Sequence, residues 1–181
     1  MAEDSENREP NARTPAALLA TAYHEAGHVV VAAHFGLPIT DVTIVPSGDA
    51  LGKATHPSPL MLDLEGTAAA RRRAAREMIV AAYAGLAAQR LVEPQAPDFH
   101  GSADEENAMC LSQKYAVLPR NCGFVGDEAH EAYLEKLRGE AKRLVRRLRM
   151  AIDALARELL GRKTIPGGEA VSIADRFLGK G

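Results

Sequence analysis

The string His24-Glu25-Ala26-Gly27-His28 lies inside a long apolar run, and what flanks it constrains the segment to a helix. Thr14 is a good N-cap residue and Pro15 suits the first helical position. Ala16 to His34 then contain no Pro and a single Gly, and Gly36 followed by Leu37-Pro38 is a stop signal. The pattern predicts a helix over Pro15–Phe35. Leu18, Ala22, Ala26, Val29, Val30 and Ala33 recur near a 3.6 period and are expected to face the core. The opposing face carries Ala17, Ala20, Thr21 and Val31 beside the two histidines. Residues four apart share one face of a helix, so His24 and His28 can present both imidazoles to one cation. Glu25 stands about 100° around the helix. Zinc lowers the pKa of a coordinated water to about 7, and a neighbouring carboxylate can then take its proton. Two nitrogen ligands and a base are most of a hydrolytic zinc site.

Composition narrows the fold. The chain has 181 residues, enough for one domain with a real core. It has no Trp and few aromatics, so Ala, Leu and Val must fill that core, which favours packed helices. The net charge of −2 gives no sign of general nucleic-acid binding. No apolar run approaches the roughly 18 residues of a membrane span. The polar N-terminus does not resemble a secretory signal. Cys110 and Cys122 lack C-x-x-C spacing and read most simply as free thiols. These features lead us to expect a cytoplasmic protein without membrane insertion.

Residues 1–13 are polar with no apolar face and are expected to form a disordered tail. A single domain is expected over 14–181. Ile39 to Val45 reads as a β-branched strand, and Ala50 to His56 as its return across a Pro46–Asp49 turn. Leu62 to Leu91 reads as a long helical region, basic at Arg71–Arg73 and Arg76, then nearly all apolar from Met78 to Ala88. Ser102 and Glu105 have capping-box spacing and start another helix that ends before Pro119. Asp127 to Leu160 reads as one long helix or a pair, with Gly139 as a soft point. Its Lys142, Arg143, Arg146, Arg147 and Arg149 read as a solvated face. Gly167-Gly168 precedes a short last helix. The expected fold class is mainly α with a small β-hairpin or sheet, built around a zincin-like H-E-x-x-H helix.

A catalytic zinc site usually has three protein ligands. His34 lies ten residues after His24, the spacing of H-E-x-x-H-x-x-G-x-x-H metalloproteases. Val31 stands where those proteins have the turning Gly. An unbroken helix carries His34 about 15 Å along the axis, so it reads as a helix-end residue. The other candidates are Asp104, which a helix start can aim inward, and its rivals Asp98, His100, Glu105 and Glu106.

Tyr23-His24-Glu25-Ala26-Gly27-His28, then Val42-Thr43-Ile44-Val45-Pro46, then Gly48 and Ala50-Leu51-Gly52, resemble the peptidase domain of the FtsH-type AAA+ zinc metalloproteases. The similarity continues at Ala84-Gly85-Leu86-Ala87-Ala88, at Gly101-Ser102-Ala103-Asp104 with Glu106 and Ala108, and at Leu155–Glu169. The resemblance implies a mainly α peptidase domain with His24, His28 and Asp104 as zinc ligands and Glu25 as the base. It also implies an edge strand that holds an extended substrate, for which Ala50–Thr55 is the candidate. This chain departs from the family in having Gln89 where a Glu follows the A-A pair. The segment before Asp104 is one residue shorter and lacks the family's Asn.

A Walker A loop requires G-x-x-x-x-G-K-[ST]. The nearest string, Gly48-Asp49-Ala50-Leu51-Gly52-Lys53-Ala54, has one residue too few between its glycines and ends in Ala. ATP-driven unfolding is therefore not expected from this chain. The leading expectation is a stand-alone Zn2+ endopeptidase acting on peptides or unfolded protein segments, with a separate ATPase or a homo-oligomer as partner. Two alternatives stand beside it: a catalytically inactive zinc-binding interaction module, and a non-peptidase zinc hydrolase. No oxyanion-stabilising side chain can be named beyond His56 and His100.

Overall fold

The structure, a computed structural model, describes residues 14–46, 52–55, 66–98, 102–115 and 128–179. The expected tail over 1–13, the loop at Asn121–Gly123, and His56, His100 and Cys122 lie outside the described residues. Within them run α1 (Pro15–Phe35), β1 (Asp41–Thr43), β2 (Lys53–Thr55), α2 (Ala68–Gln89), α3 (Ala103–Lys114), α4 (Glu128–Arg147), α5 (Arg149–Arg162), β3 (Thr164–Pro166) and α6 (Gly167–Leu178). The architecture is mainly α with a small antiparallel sheet.

Helix α1 starts and stops where its sequence signals lie. Thr14 accepts a hydrogen bond from the Ala17 N–H at 3.2 Å, and Gly36 closes the helix in the left-handed region at φ 73°. One expectation needs correction. The helix does not divide into a core face and an opposing face: Ala20–Ala22 and Glu25–Ala33 are all buried. It is the central helix, packed against α2, α5 and α6. Its Ala, Gly and Val side chains permit this, because small residues let neighbouring backbones approach closely. Gly27 is the extreme case. A Cβ there would fall 2.5 Å from the Ala88 Cβ and 2.6 Å from the Ala84 carbonyl oxygen of α2.

Helix α2 begins at its Thr67 cap and buries Ala75, Ile79–Ala81, Tyr83–Gly85 and Ala88. The basic start at Arg71–Arg73 is exposed. The long segment after residue 127 is a pair of helices, as one of the two expectations had it. The break falls at Leu148, not at Gly139, which lies inside α4. Leu144, Val145, Leu148 and Ala151 are buried on either side of the break, so the chain bends without leaving the core.

The hairpin gains a third strand. The sheet order is β2-β1-β3, with Val42 opposite Ala54 on one side and Ile165 on the other. Val42 and Ile165 are fully buried beneath the sheet. β3 escaped the sequence reading because Thr164–Pro166 is three residues long and ends in proline. The chain then turns directly into α6, where Gly167 presses on the backbone of Ile39 and Thr40; a Cβ there would lie 2.1 Å from the Ile39 carbonyl oxygen. β2 forms one edge of the sheet. No helix among the described residues is long and apolar enough to cross a membrane.

Candidate metal centre

Three side chains from two helices converge on one point. His24 and His28, four apart on α1, bring their Nε2 atoms to 3.0 Å. Asp104, in the first turn of α3, places Oδ2 3.2 Å from each of those nitrogens. The rival residues are engaged or turned elsewhere. Asp98 accepts from Arg90 at 2.8 Å, Glu105 pairs with Arg138, and Glu106 is exposed. His34 sits at the end of α1 with Nε2 3.1 Å from Arg147 Nη2.

The outer nitrogens of the histidines reveal what this cluster needs. His28 Nδ1 lies 2.9 Å from the Ala81 carbonyl oxygen, which can only accept, so Nδ1 carries the hydrogen. His24 Nδ1 lies 3.1 Å from Gln89 Oε1. That amide is oriented by Glu93, whose carboxylate takes the Gln89 Nε2–H at 2.8 Å. His24 Nδ1 is therefore also the donor. In the neutral tautomers, two imidazole lone pairs and one carboxylate oxygen then face each other at hydrogen-bond distance. Three acceptors in such contact need a positive charge between them, supplied by a metal ion or by a proton. A tetrahedral zinc with bonds of about 2.0–2.1 Å separates its ligand atoms by about 3.3 Å, close to the spacings here. The residues fit a zinc ion.

Electrostatics carry the same message. Burial alone would push the His28 imidazole down. The Asp104 carboxylate, with its hydrogen bond, and the Glu25 charge outweigh burial and lift it to about 9. Burial likewise acts to raise Asp104, yet the charge of His28 and hydrogen bonds from both histidines hold its carboxyl well below the usual range. In the absence of a metal ion, the site draws in a proton instead.

Gly85 of α2 closes the cluster from behind. A Cβ there would lie 2.3 Å from His28 Nε2 and 2.8 Å from His24 Nε2. This contact was not legible in the sequence, where Gly85 entered only within the Ala84–Ala88 segment of the family resemblance. Glu25 lies beside the cluster and is only 5% exposed. Burial raises its carboxyl, against the lowering influence of the two histidines and a hydrogen bond from the Ala54 N–H. Gly52, just before strand β2, covers it closely: a Cβ there would meet Glu25 Oε1 at 2.7 Å. The start of α3 carries the expected cap, with Ser102 Oγ accepting from the Glu105 N–H at 3.2 Å. The reciprocal half of a capping box is absent, because the Glu105 side chain turns to Arg138.

Residues 13–97 match peptidase family M41. The match contains His24, Glu25, His28, Gly85 and Gln89, whereas Asp104 lies beyond it. The chain is 30% identical over 173 residues to a protein of Sphaerobacter thermophilus named ATP-dependent zinc metalloprotease FtsH 4. That similarity covers 80% of this chain and 26% of the relative, so the chain spans about a quarter of the relative's length.

Proposed function

We propose that this chain, which carries an FtsH-type peptidase domain of family M41, is a zinc-dependent endopeptidase that hydrolyses peptides or unfolded protein segments. The observation that carries the reading is the convergence of His24, His28 and Asp104 at 3.0–3.2 Å with Glu25 alongside.

His24, His28 and Asp104 would hold the ion, and the hydrogen bonds to Gln89 and Ala81 keep both imidazoles in the tautomer a metal needs. A bound zinc ion acidifies water and polarises the scissile carbonyl. Glu25 accepts the proton of the attacking water and passes it to the leaving amine. Its burial keeps the carboxyl higher than usual, which suits a group that must both take and give a proton. The outer edge of β2, whose Ala54 N–H already donates to Glu25, is where an extended substrate would pair. Such recognition reads backbone and requires an unstructured segment, hence the substrate class. An intact base favours an enzyme over a zinc-binding interaction module, because a structural site has no use for Glu25.

The reading is tested by removing zinc with a chelator, restoring it, and following cleavage of an unfolded protein without nucleotide. Cleavage should stop and return with the metal. Cleavage indifferent to chelation refutes a metallopeptidase. Cleavage that appears only when a separate ATPase is added identifies a partner-fed enzyme.

A further inference from the structure

Asp104 must reach across to two histidines on another helix, yet the helix that carries it is weakly buried. Of the twelve residues of α3, Ala108, Leu111 and Ser112 are the buried ones. Helix ends fray, and Asp104 stands in the first turn. Apolar packing of Ala108 and Leu111 docks the middle of α3 on the core, and the first turn has polar ties in addition.

Two polar ties come from α4, one at each end of α3. At the far end His130 and Ser112 are both fully buried. Ser112 Oγ donates to the Met109 carbonyl at 2.8 Å, which leaves it to accept the Nε2–H of His130 at 3.3 Å. At the near end the Arg138 guanidinium donates to Glu105 Oε1. Arg138 also donates to Glu135 at 3.3 Å, and its central carbon lies 4.9 Å from the centroid of the Tyr83 ring of α2. The Tyr83 hydroxyl is 3.4 Å from the same Glu105 oxygen. The Arg138 and Glu105 side chains are each 22% exposed, so the pair is held largely away from water. A partly desolvated, fork-shaped guanidinium fixes geometry in a way an exposed ion pair does not. Glu105 follows Asp104 directly, and consecutive Cα atoms are about 3.8 Å apart. A displacement of Glu105 is therefore a displacement of Asp104.

We infer that Arg138, acting through Glu105 and Tyr83, is a positioning residue that sets Asp104 at the metal. The inference rests on the zinc-site reading of His24, His28 and Asp104, and concerns how tightly that site binds its ion. Arg138 itself is not among the cluster's donors.

The test uses the full chain and two probes, zinc affinity by competition with a chromophoric chelator and the visible spectrum of bound Co2+, which reports coordination geometry. Arg138→Ala and Glu105→Ala should each weaken zinc on the order of 10-fold to 100-fold. The double variant should be little worse than either single one, as expected for partners in one interaction. The Co2+ spectrum of Arg138→Ala should move toward that of Asp104→Ala, and Arg138→Lys should recover part of the affinity. Arg162→Ala, at the exposed pair with Glu169, should change neither readout. Unchanged affinity and spectrum in Arg138→Ala, even with a lower melting temperature of the metal-free protein, would overturn the inference and leave Arg138 as a fold-stabilising residue. A parent chain that binds neither zinc nor Co2+ would overturn the metal-site reading itself, and this inference with it.

Discussion

Gly85 lies against the imidazole of His28, with no room for even a methyl group between them: a Cβ at 85 would fall 2.3 Å from Nε2. The contact joins α2 to the metal cluster on α1 and leaves the His28 ring one place to go. Gly85→Ala should displace both histidines and abolish stoichiometric zinc binding. Destabilisation should stay near the roughly 1–3 kcal/mol of a local overpacking. Metal analysis of the purified variant beside its circular dichroism spectrum checks this. Full zinc occupancy in Gly85→Ala would contradict the geometry.

Gln89 controls the outer nitrogen of His24. Gln89→Leu removes the acceptor and leaves a partly buried N–H without a partner, so zinc affinity should fall about 10-fold to 100-fold. Gln89→Glu keeps an acceptor and adds charge, so it should bind zinc at least as tightly as the parent. A competition titration of the three proteins decides the order. Equal affinity in Gln89→Leu would mean that the His24 orientation is set elsewhere.

The raised His28 pKa gives zinc binding a definite pH dependence. At neutral pH the metal-free site holds a proton on His28, because its pKa lies near 9. Zinc must displace that proton, so apparent affinity should rise about tenfold per pH unit up to about pH 9. Calorimetry in two buffers of different ionisation enthalpy should register about one proton released per zinc. The same shift stabilises the metal-free fold. Because the folded pKa is raised above its ordinary 6.5, that contribution is complete below 6.5 and disappears as pH climbs through about 9. No proton release would contradict the raised His28 pKa.

Gly27 tests the packing beneath the site. Its missing Cβ would strike the Ala84 carbonyl, which belongs to backbone and cannot rotate away. Gly27→Ala gains about 1 kcal/mol of helix propensity, yet should still be less stable by about 1–2 kcal/mol. For a chain of this length that is a melting-point fall of about 2–8 °C. A stabilised variant would show that α1 and α2 can separate at little cost.

The histidines and Asp104 differ in how far the sequence announces them. His24 and His28 share a face because a helix repeats every 3.6 residues, and Thr14, Pro15 and Gly36 delimit that helix. These are local effects, and local effects are legible. Asp104 is not local. Its approach depends on α3 docking against α2 and on side chains of α4, so its place at a helix start favoured it only narrowly over Asp98, His100, Glu105 and Glu106, and the family resemblance singled it out. The burial of α1 on all sides was hidden for a related reason. Ala and Val serve either face of a helix, and what surrounds them is a property of α2, α5 and α6. β3 was missed because a three-residue strand ending in proline acquires its identity from pairing with β1. The break at Leu148 likewise follows from packing, since no Gly or Pro marks it.

Glu25 is the residue on which hydrolysis, as distinct from metal binding, depends. The most direct measurement compares cleavage of an unfolded protein by the zinc-loaded chain and by Glu25→Gln at matched zinc content, without nucleotide. The account predicts steady cleavage by the parent and a loss on the order of 10²-fold to 10⁴-fold in the variant, with zinc retained in both. Equal cleavage by the two proteins would contradict the role assigned to Glu25. Zinc bound in both with cleavage in neither would contradict an autonomous peptidase.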